Sequence, residues 1–83
     1  MRETVKAYVL LAVEIGHTDD VIDKLREIDE AVRVAVTTGQ YDIIVLVEVE
    51  SLPALSARIL HRTHQMPPFL ETSTSVVEKM YSV

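Results

Sequence analysis

The sequence predicts a single α+β domain in which strands and helices follow the order β-α-β-β-α-β. Runs of β-branched and aliphatic residues alternate with two segments in which apolar residues recur at helical spacing. Two of these runs flank a short polar connection that contains one of the only two glycines among the 83 residues. This last pattern is typical of a β-hairpin, because glycine supplies the positive φ that a tight turn needs.

Length, composition and charge limit the classes of protein to which the chain can belong. The 83 residues form one domain, 1–83. The absence of cysteine excludes disulfides and thiolate metal sites. A formal net charge of -5 has the wrong sign for phosphate backbones, so we expect no direct nucleic-acid partner. The first apolar run is too short to span a bilayer and lacks a signal-peptide cleavage site, which predicts a cytoplasmic protein with no membrane partner.

The first half of the chain contains one strand and one helix. Residues 5–13 are almost entirely apolar and form the first predicted strand. Thr18 is the predicted N-cap of a first helix that continues to about Glu30, with Asp19 and Asp20 near the positive end of the helix dipole. The apolar residues at helical spacing in this segment are Val21, Ile22, Leu25, Ile28 and Val32.

The second half supplies three more strands and a second helix. The second and third strands are predicted at about residues 32–37 and 42–50. Ser51 is the predicted cap of the second helix, and Pro67-Pro68 ends it because proline cannot continue the hydrogen-bond ladder. The inner face of this helix is predicted to contain Leu52, Leu55, Ile59 and Met66. The fourth strand is predicted at residues 70–81.

This order is that of the ferredoxin-like fold, an antiparallel four-stranded sheet with two helices on one face. The other face of such a sheet is usually polar, yet the first and third strands are apolar on both faces. The apolar residues predicted to face away from the helices are Tyr8, Leu10, Ala12, Ile44 and Leu46. Because two helices cover only one face, we expect a second copy to cover the other, so that two sheets pair as a dimeric α+β barrel.

Candidate metal ligands and acid–base groups are interpreted as ordinary surface residues. His61 and His64 are three residues apart, but no third ligand is near them in the sequence. His17, at the entrance to the first helix, is a weaker candidate for a ligand contact. Glu48 and Glu50 are interpreted as the solvated end of a strand rather than a catalytic pair. No motif of a catalytic nucleophile or phosphate-binding loop is present, so we predict a non-enzyme without cofactor, metal or catalytic residue.

Polar residues concentrate in two segments, 37–42 and 71–75. Their amide N–H groups and hydroxyls suit the carboxylate of a zwitterion, while Asp42 and carbonyl oxygens suit its ammonium group. Alternatively, Asp42 forms an Asx-type turn and the threonines are simply β-forming residues. Composition does not separate these two interpretations.

The segment Thr38-Gly39-Gln40-Tyr41-Asp42 before Ile43-Ile44-Val45-Leu46-Val47 resembles the G-x-[YF]-D hairpin of the RAM domain. That domain is the amino-acid effector domain of the Lrp/AsnC transcription regulators. Thr72-Ser73-Thr74-Ser75-Val76-Val77 resembles its T-x-T-x-V-V strand. The resemblance implies an amino-acid effector and a homo-oligomer of dimers, such as an octamer or decamer, with the pocket between dimers. Carried over by position, the binding residues are Thr38, Gly39, Gln40, Tyr41, Asp42, Thr72 and Thr74.

The sequence departs from the family pattern in two respects. No helix-turn-helix precedes the first strand, so the sequence resembles a stand-alone RAM domain, with full-length Lrp/AsnC regulators as candidate partners. Glu71 stands where arginine commonly precedes the threonine, so the family's effector preference is not transferred. The alternatives are an ACT-like amino-acid-binding domain, with its ligand at residues 14–17, and a dimeric α+β-barrel enzyme. The enzyme alternative is disfavoured because the positions predicted to lie between the sheet and the helices are aliphatic. They lack the His, Trp or Asn that would line a reactive cavity.

Overall fold

The strands and helices follow one another in the predicted order. The computed structural model of the protein describes residues 4–61 and 69–83. Its strands are β1 (Val5–Val13), β2 (Ala31–Val36), β3 (Ile43–Val49) and β4 (Phe69–Val76). The first helix, α1, is Thr18–Leu25, and the second, α2, begins as an α-helical turn at Leu52–Ala54 and continues as a π-helix over Leu55–Leu60.

All strand pairs are antiparallel, and the order across the sheet is β2-β3-β1-β4, which confirms the predicted ferredoxin-like fold. Alternate residues of β1 and β3 point to the face that α1 and α2 cover. The residues buried there are Ala7, Val9, Leu11, Val13, Val21, Leu25, Ile28, Ile43, Val45, Val47, Val49, Ala54, Leu55 and Ile59. Both helices therefore pack on one face, as predicted.

The start and end of α1 differ from the prediction. The N-cap position is His17 rather than Thr18, and it makes no side-chain capping bond. The helix ends at Leu25 instead of Glu30, because the N–H groups of Glu27 and Ile28 donate to carbonyls three residues back and tighten the chain into turns. Ile28 is still buried, but Val32 is 52% exposed because it belongs to the edge strand β2.

The prediction for α2 is partly correct. Leu55 and Ile59 are buried, whereas Leu52 is 57% exposed and Ala54 takes the buried position in that first turn. The π-helical stretch ends with a bond from the His61 N–H to the carbonyl of Ser56, five residues back. The predicted inner residue Met66 and the terminating Pro67-Pro68 lie outside the described residues.

The predicted cap of α2 is confirmed and gives a test of the fold. Ser51 Oγ accepts a hydrogen bond from the Ala54 N–H at 3.2 Å. Replacing Ser51 with alanine should lower the free energy of unfolding by about 1 kcal/mol. In thermal denaturation at fixed protein concentration, Tm should fall by roughly 4–8 °C. Ser56→Ala, at an exposed position of the same helix, is the matched control. Equal Tm values for the two variants would contradict the capping role.

β4 is shorter than predicted, and the sheet keeps an apolar second face. The strand ends at Val76, and one further bond joins the Val77 N–H to the Lys6 carbonyl.

We call the face turned away from the helices the outer sheet face; its apolar residues are Tyr8, Leu10, Ala12, Ala35, Ile44 and Leu46. Tyr8 lies opposite Leu46, and Leu10 lies opposite Ile44. No helix within residues 4–61 and 69–83 is long and apolar enough to cross a membrane.

Candidate functional site

The polar connection between β2 and β3 is a closed hairpin turn. The Thr37 N–H donates to the Asp42 carbonyl at 2.8 Å, and the Thr37 hydroxyl donates to the Tyr41 carbonyl at 2.6 Å. Gly39 has φ +124°, a conformation that side-chain-bearing residues rarely adopt. Thr38, Gly39 and Gln40 are exposed at the tip of the turn.

Asp42 joins this turn to the end of β1. Its N–H donates to the Leu11 carbonyl at 2.9 Å, and its Oδ2 accepts from the Val13 N–H at 2.9 Å. The β1–β3 ladder ends at the Leu11–Ile43 pair, so the carboxylate serves an N–H group beyond the last strand pair. This contact is a structural role that neither sequence-based interpretation of Asp42 included. It engages Oδ2 of the carboxylate.

The first residues of β4 lie on the other side of the same end of β1. Thr72 lies opposite Leu11, and Glu71 lies opposite Ala12. The Tyr41 hydroxyl lies 3.4 Å from Glu71 Oε1, which links the hairpin to β4 across β1 within one chain. The structure therefore brings Tyr41 and Asp42 close to the start of β4.

The two threonines of β4 are half-buried and lie on the sheet face that the helices cover. Their cross-strand partners, Leu11 and Val9, are both buried in the core, and directly opposite residues share a face. Thr72 is level with the hairpin, whereas Thr74 lies two residues further from it. Glu71 lies on the opposite face and contacts the Tyr41 hydroxyl. It is not among the binding residues predicted from the sequence. The signal for it was its position immediately before Thr72.

The remaining polar candidates form other contacts. His17 Nδ1 lies 3.8 Å from Asp20 Oδ2 at the start of α1. Glu50 pairs with Arg58 at 2.8 Å, so it is part of an ion pair rather than an acid–base pair with Glu48. His61 is exposed, as predicted, and His64 lies outside the described residues. Within the described part of the chain, no group of three or more His, Asp or Glu residues could hold a metal ion.

Comparison with known families identifies the domain. Residues 6–82 match the family profile of the Lrp/AsnC ligand binding domain. The chain belongs to this family. The predicted family is thus confirmed, and the domain is of the regulatory effector type rather than an enzyme. No protein with a curated description matches the chain.

Solved structures of Lrp/AsnC proteins show the same fold. FFRP-DM1 is 33% identical with a TM-score of 0.83, and the match covers 88% of this chain and 97% of that one. Hypothetical protein PHS023 from Pyrococcus horikoshii is 31% identical with a TM-score of 0.83, and the match covers 93% of each chain. The feast or famine regulatory protein from M. tuberculosis, complexed with L-methionine, is 21% identical with a TM-score of 0.79. The match covers 95% of this chain and 53% of that protein.

Proposed function

We propose that this Lrp/AsnC domain binds an amino acid where the β2–β3 hairpin meets the end of β1 and the start of β4. The observation that carries the proposal is the position of Asp42, whose Oδ2 is held by the Val13 N–H while the turn beside it is exposed. The L-methionine complex of the M. tuberculosis relative supports an amino acid as the ligand class.

The two ends of an amino acid match different groups of this site. Residues 38–40 are exposed, and backbone N–H groups of such a turn are suited to the α-carboxylate. Asp42 Oδ1 is suited to the α-ammonium. Tyr41 is half-buried and forms one wall of the site. Thr72 and Thr74 lie on the helix-covered face of β4, which is an edge strand of the sheet. Because they do not face the same side as Glu71, we place their hydroxyls in the pocket of a neighbouring copy rather than in the pocket of their own chain.

The outer sheet face supports a homo-oligomer. Tyr8 is 37% exposed, and Leu10, Ile44 and Leu46 are half-buried, so these apolar residues remain partly open to water in one chain. A second copy of the sheet packed on this face would bury them. Dimers formed in this way, assembled further into an octamer or decamer, would bring the hairpin of one chain to β4 of another. Full-length Lrp/AsnC regulators in the cytoplasm are the partners we propose for such an assembly.

Calorimetric titration against the twenty L-amino acids tests this function. We expect one amino acid, or a small chemically related group, to bind saturably. The corresponding α-hydroxy acid, which lacks the ammonium group, should bind at least about tenfold more weakly, because a hydrogen bond to a charged group contributes about 1.5–3 kcal/mol. If no amino acid binds, or if the hydroxy acid binds equally well, the proposal is wrong.

A further inference from the structure

We propose that Glu71 makes this pocket selective for amino acids with a cationic side chain, an inference that rests on the proposed function. The carboxylate of Glu71 lies where the hairpin and β4 meet, with Oε1 3.4 Å from the Tyr41 hydroxyl. Its side chain is exposed in the single chain and lies at the hairpin end of the outer sheet face, opposite Ala12. Sheet packing centred on Leu10 therefore leaves it within reach of a ligand bound at the hairpin.

Two carboxylates flank the same end of β1. Asp42 is bonded to the Val13 N–H on the β3 side, and Glu71 lies opposite Ala12 on the β4 side. Neighbouring strands are about 4.8 Å apart, so these positions are separated by about two strand spacings, ~10 Å. A ligand with an α-ammonium at Asp42 and a second cationic group on a long side chain can contact both carboxylates. A neutral side chain would leave Glu71 without a charged partner.

The distribution of charge favours the same class of ligand. Glu14 follows β1 directly, and Asp19 and Asp20 lie in the first turn of α1, so this end of the sheet carries further acidic residues. The basic residues within 4–61 and 69–83 lie away from this end of the sheet. Lys6 and Arg33 lie further along the strands, and Arg58 pairs with Glu30 and Glu50. The others are Lys24 and Arg26 at the end of α1 and Lys79 beyond β4. Such a field attracts cations and repels ligands with an acidic side chain.

A purely structural role for Glu71 makes a different prediction. If Glu71 served only as an acceptor for the Tyr41 hydroxyl, its replacement would change the affinity for all amino acids by the same factor. A direct contact with the ligand changes the ratio of affinities between cationic and neutral side chains. That ratio is therefore the decisive measurement.

The experiment compares L-lysine with L-norleucine, which has the same aliphatic chain without the terminal ammonium. In calorimetric titrations of the intact protein, L-lysine should bind up to about fivefold more tightly than L-norleucine, as expected for one solvated ion pair. This preference should shrink when the salt concentration rises to ~0.5 M, because exposed charges are screened. L-arginine should resemble L-lysine, and L-glutamate should bind most weakly.

Glu71→Gln should bring the lysine-to-norleucine ratio close to one. Glu78→Gln, the same change at an exposed position beyond the other end of β4, should leave the ratio unchanged. A wild-type protein that binds L-norleucine as tightly as L-lysine would overturn the inference, as would an unchanged ratio in Glu71→Gln. Binding of neutral amino acids alone would leave the proposed function intact, whereas the absence of all amino-acid binding would overturn both.

Discussion

Leu10→Asp should convert the dimer that we propose into monomers. Leu10 lies on β1, in the centre of the outer sheet face, between Ile44 on β3 and Ser73 on β4. A carboxylate at this position would have no basic side chain directly opposite it. Burying an unpaired charge costs several kcal/mol, and a symmetric dimer would bury two. The dissociation constant of the dimer should therefore rise by at least about a hundredfold.

Light scattering and native mass spectrometry at micromolar concentration measure this effect. Leu52→Asp is the matched control, because Leu52 is 57% exposed and lies at the start of α2, away from the outer sheet face. An acidic residue is also favourable in the first turn of a helix, so this variant should keep both fold and assembly. A wild-type protein that is monomeric, or a Leu10→Asp variant that remains dimeric, would refute the packing of sheet against sheet.

Asp42→Asn should weaken amino-acid binding by about ten- to a hundredfold while the fold is retained. The asparagine side-chain oxygen can still accept from the Val13 N–H, which Asp42 Oδ2 binds at 2.9 Å in the wild type. The substitution removes only the negative charge, which we propose binds the ligand ammonium. Hydrogen bonds to charged groups contribute about 1.5–3 kcal/mol, which corresponds to the predicted loss of affinity.

Calorimetry with the best-binding amino acid, together with circular dichroism and light scattering, separates the two roles of Asp42. Asp42→Ala should in addition lower the free energy of unfolding by about 1–3 kcal/mol, because the Val13 N–H loses its acceptor. Asp23→Asn, an equivalent change on the exposed side of α1, should affect neither property. Unchanged affinity in Asp42→Asn would show that the carboxylate serves the fold alone.

The local sequence predicts those parts of the fold in which the hydrophobic period matches the structure. β1 has the predicted bounds, Val5–Val13, because its alternate residues are buried against the helices. The end of α1 could not be predicted in the same way. Ile28 continues the helical spacing, yet it is buried from a turn, and Val32 then follows the two-residue period of β2. The exposed Leu52 likewise satisfies the spacing of α2 without reaching the sheet.

For the candidate site, residue types predict the turn but not its neighbours. The β-branched flanks and Gly39 are sufficient to identify the hairpin. The contacts from Asp42 to Val13 and from Tyr41 to Glu71 join residues 29 and 30 positions apart. They depend on the register between strands, and no local pattern encodes that register. The assignment of ligand-binding roles stays a prediction for all seven residues, Thr38, Gly39, Gln40, Tyr41, Asp42, Thr72 and Thr74.

The hydrogen bond from the Val13 N–H to Asp42 would make the last residue of β1 a reporter of ligand occupancy under the proposed function. If an ammonium group binds Oδ1 while the Val13 N–H binds Oδ2, one carboxylate serves both partners. Ligand binding and formation of the Val13–Asp42 hydrogen bond are then thermodynamically linked, and each changes the equilibrium constant of the other by the same factor. Hydrogen exchange at the Val13 amide, beyond the last β1–β3 pair, is the place where this coupling becomes visible.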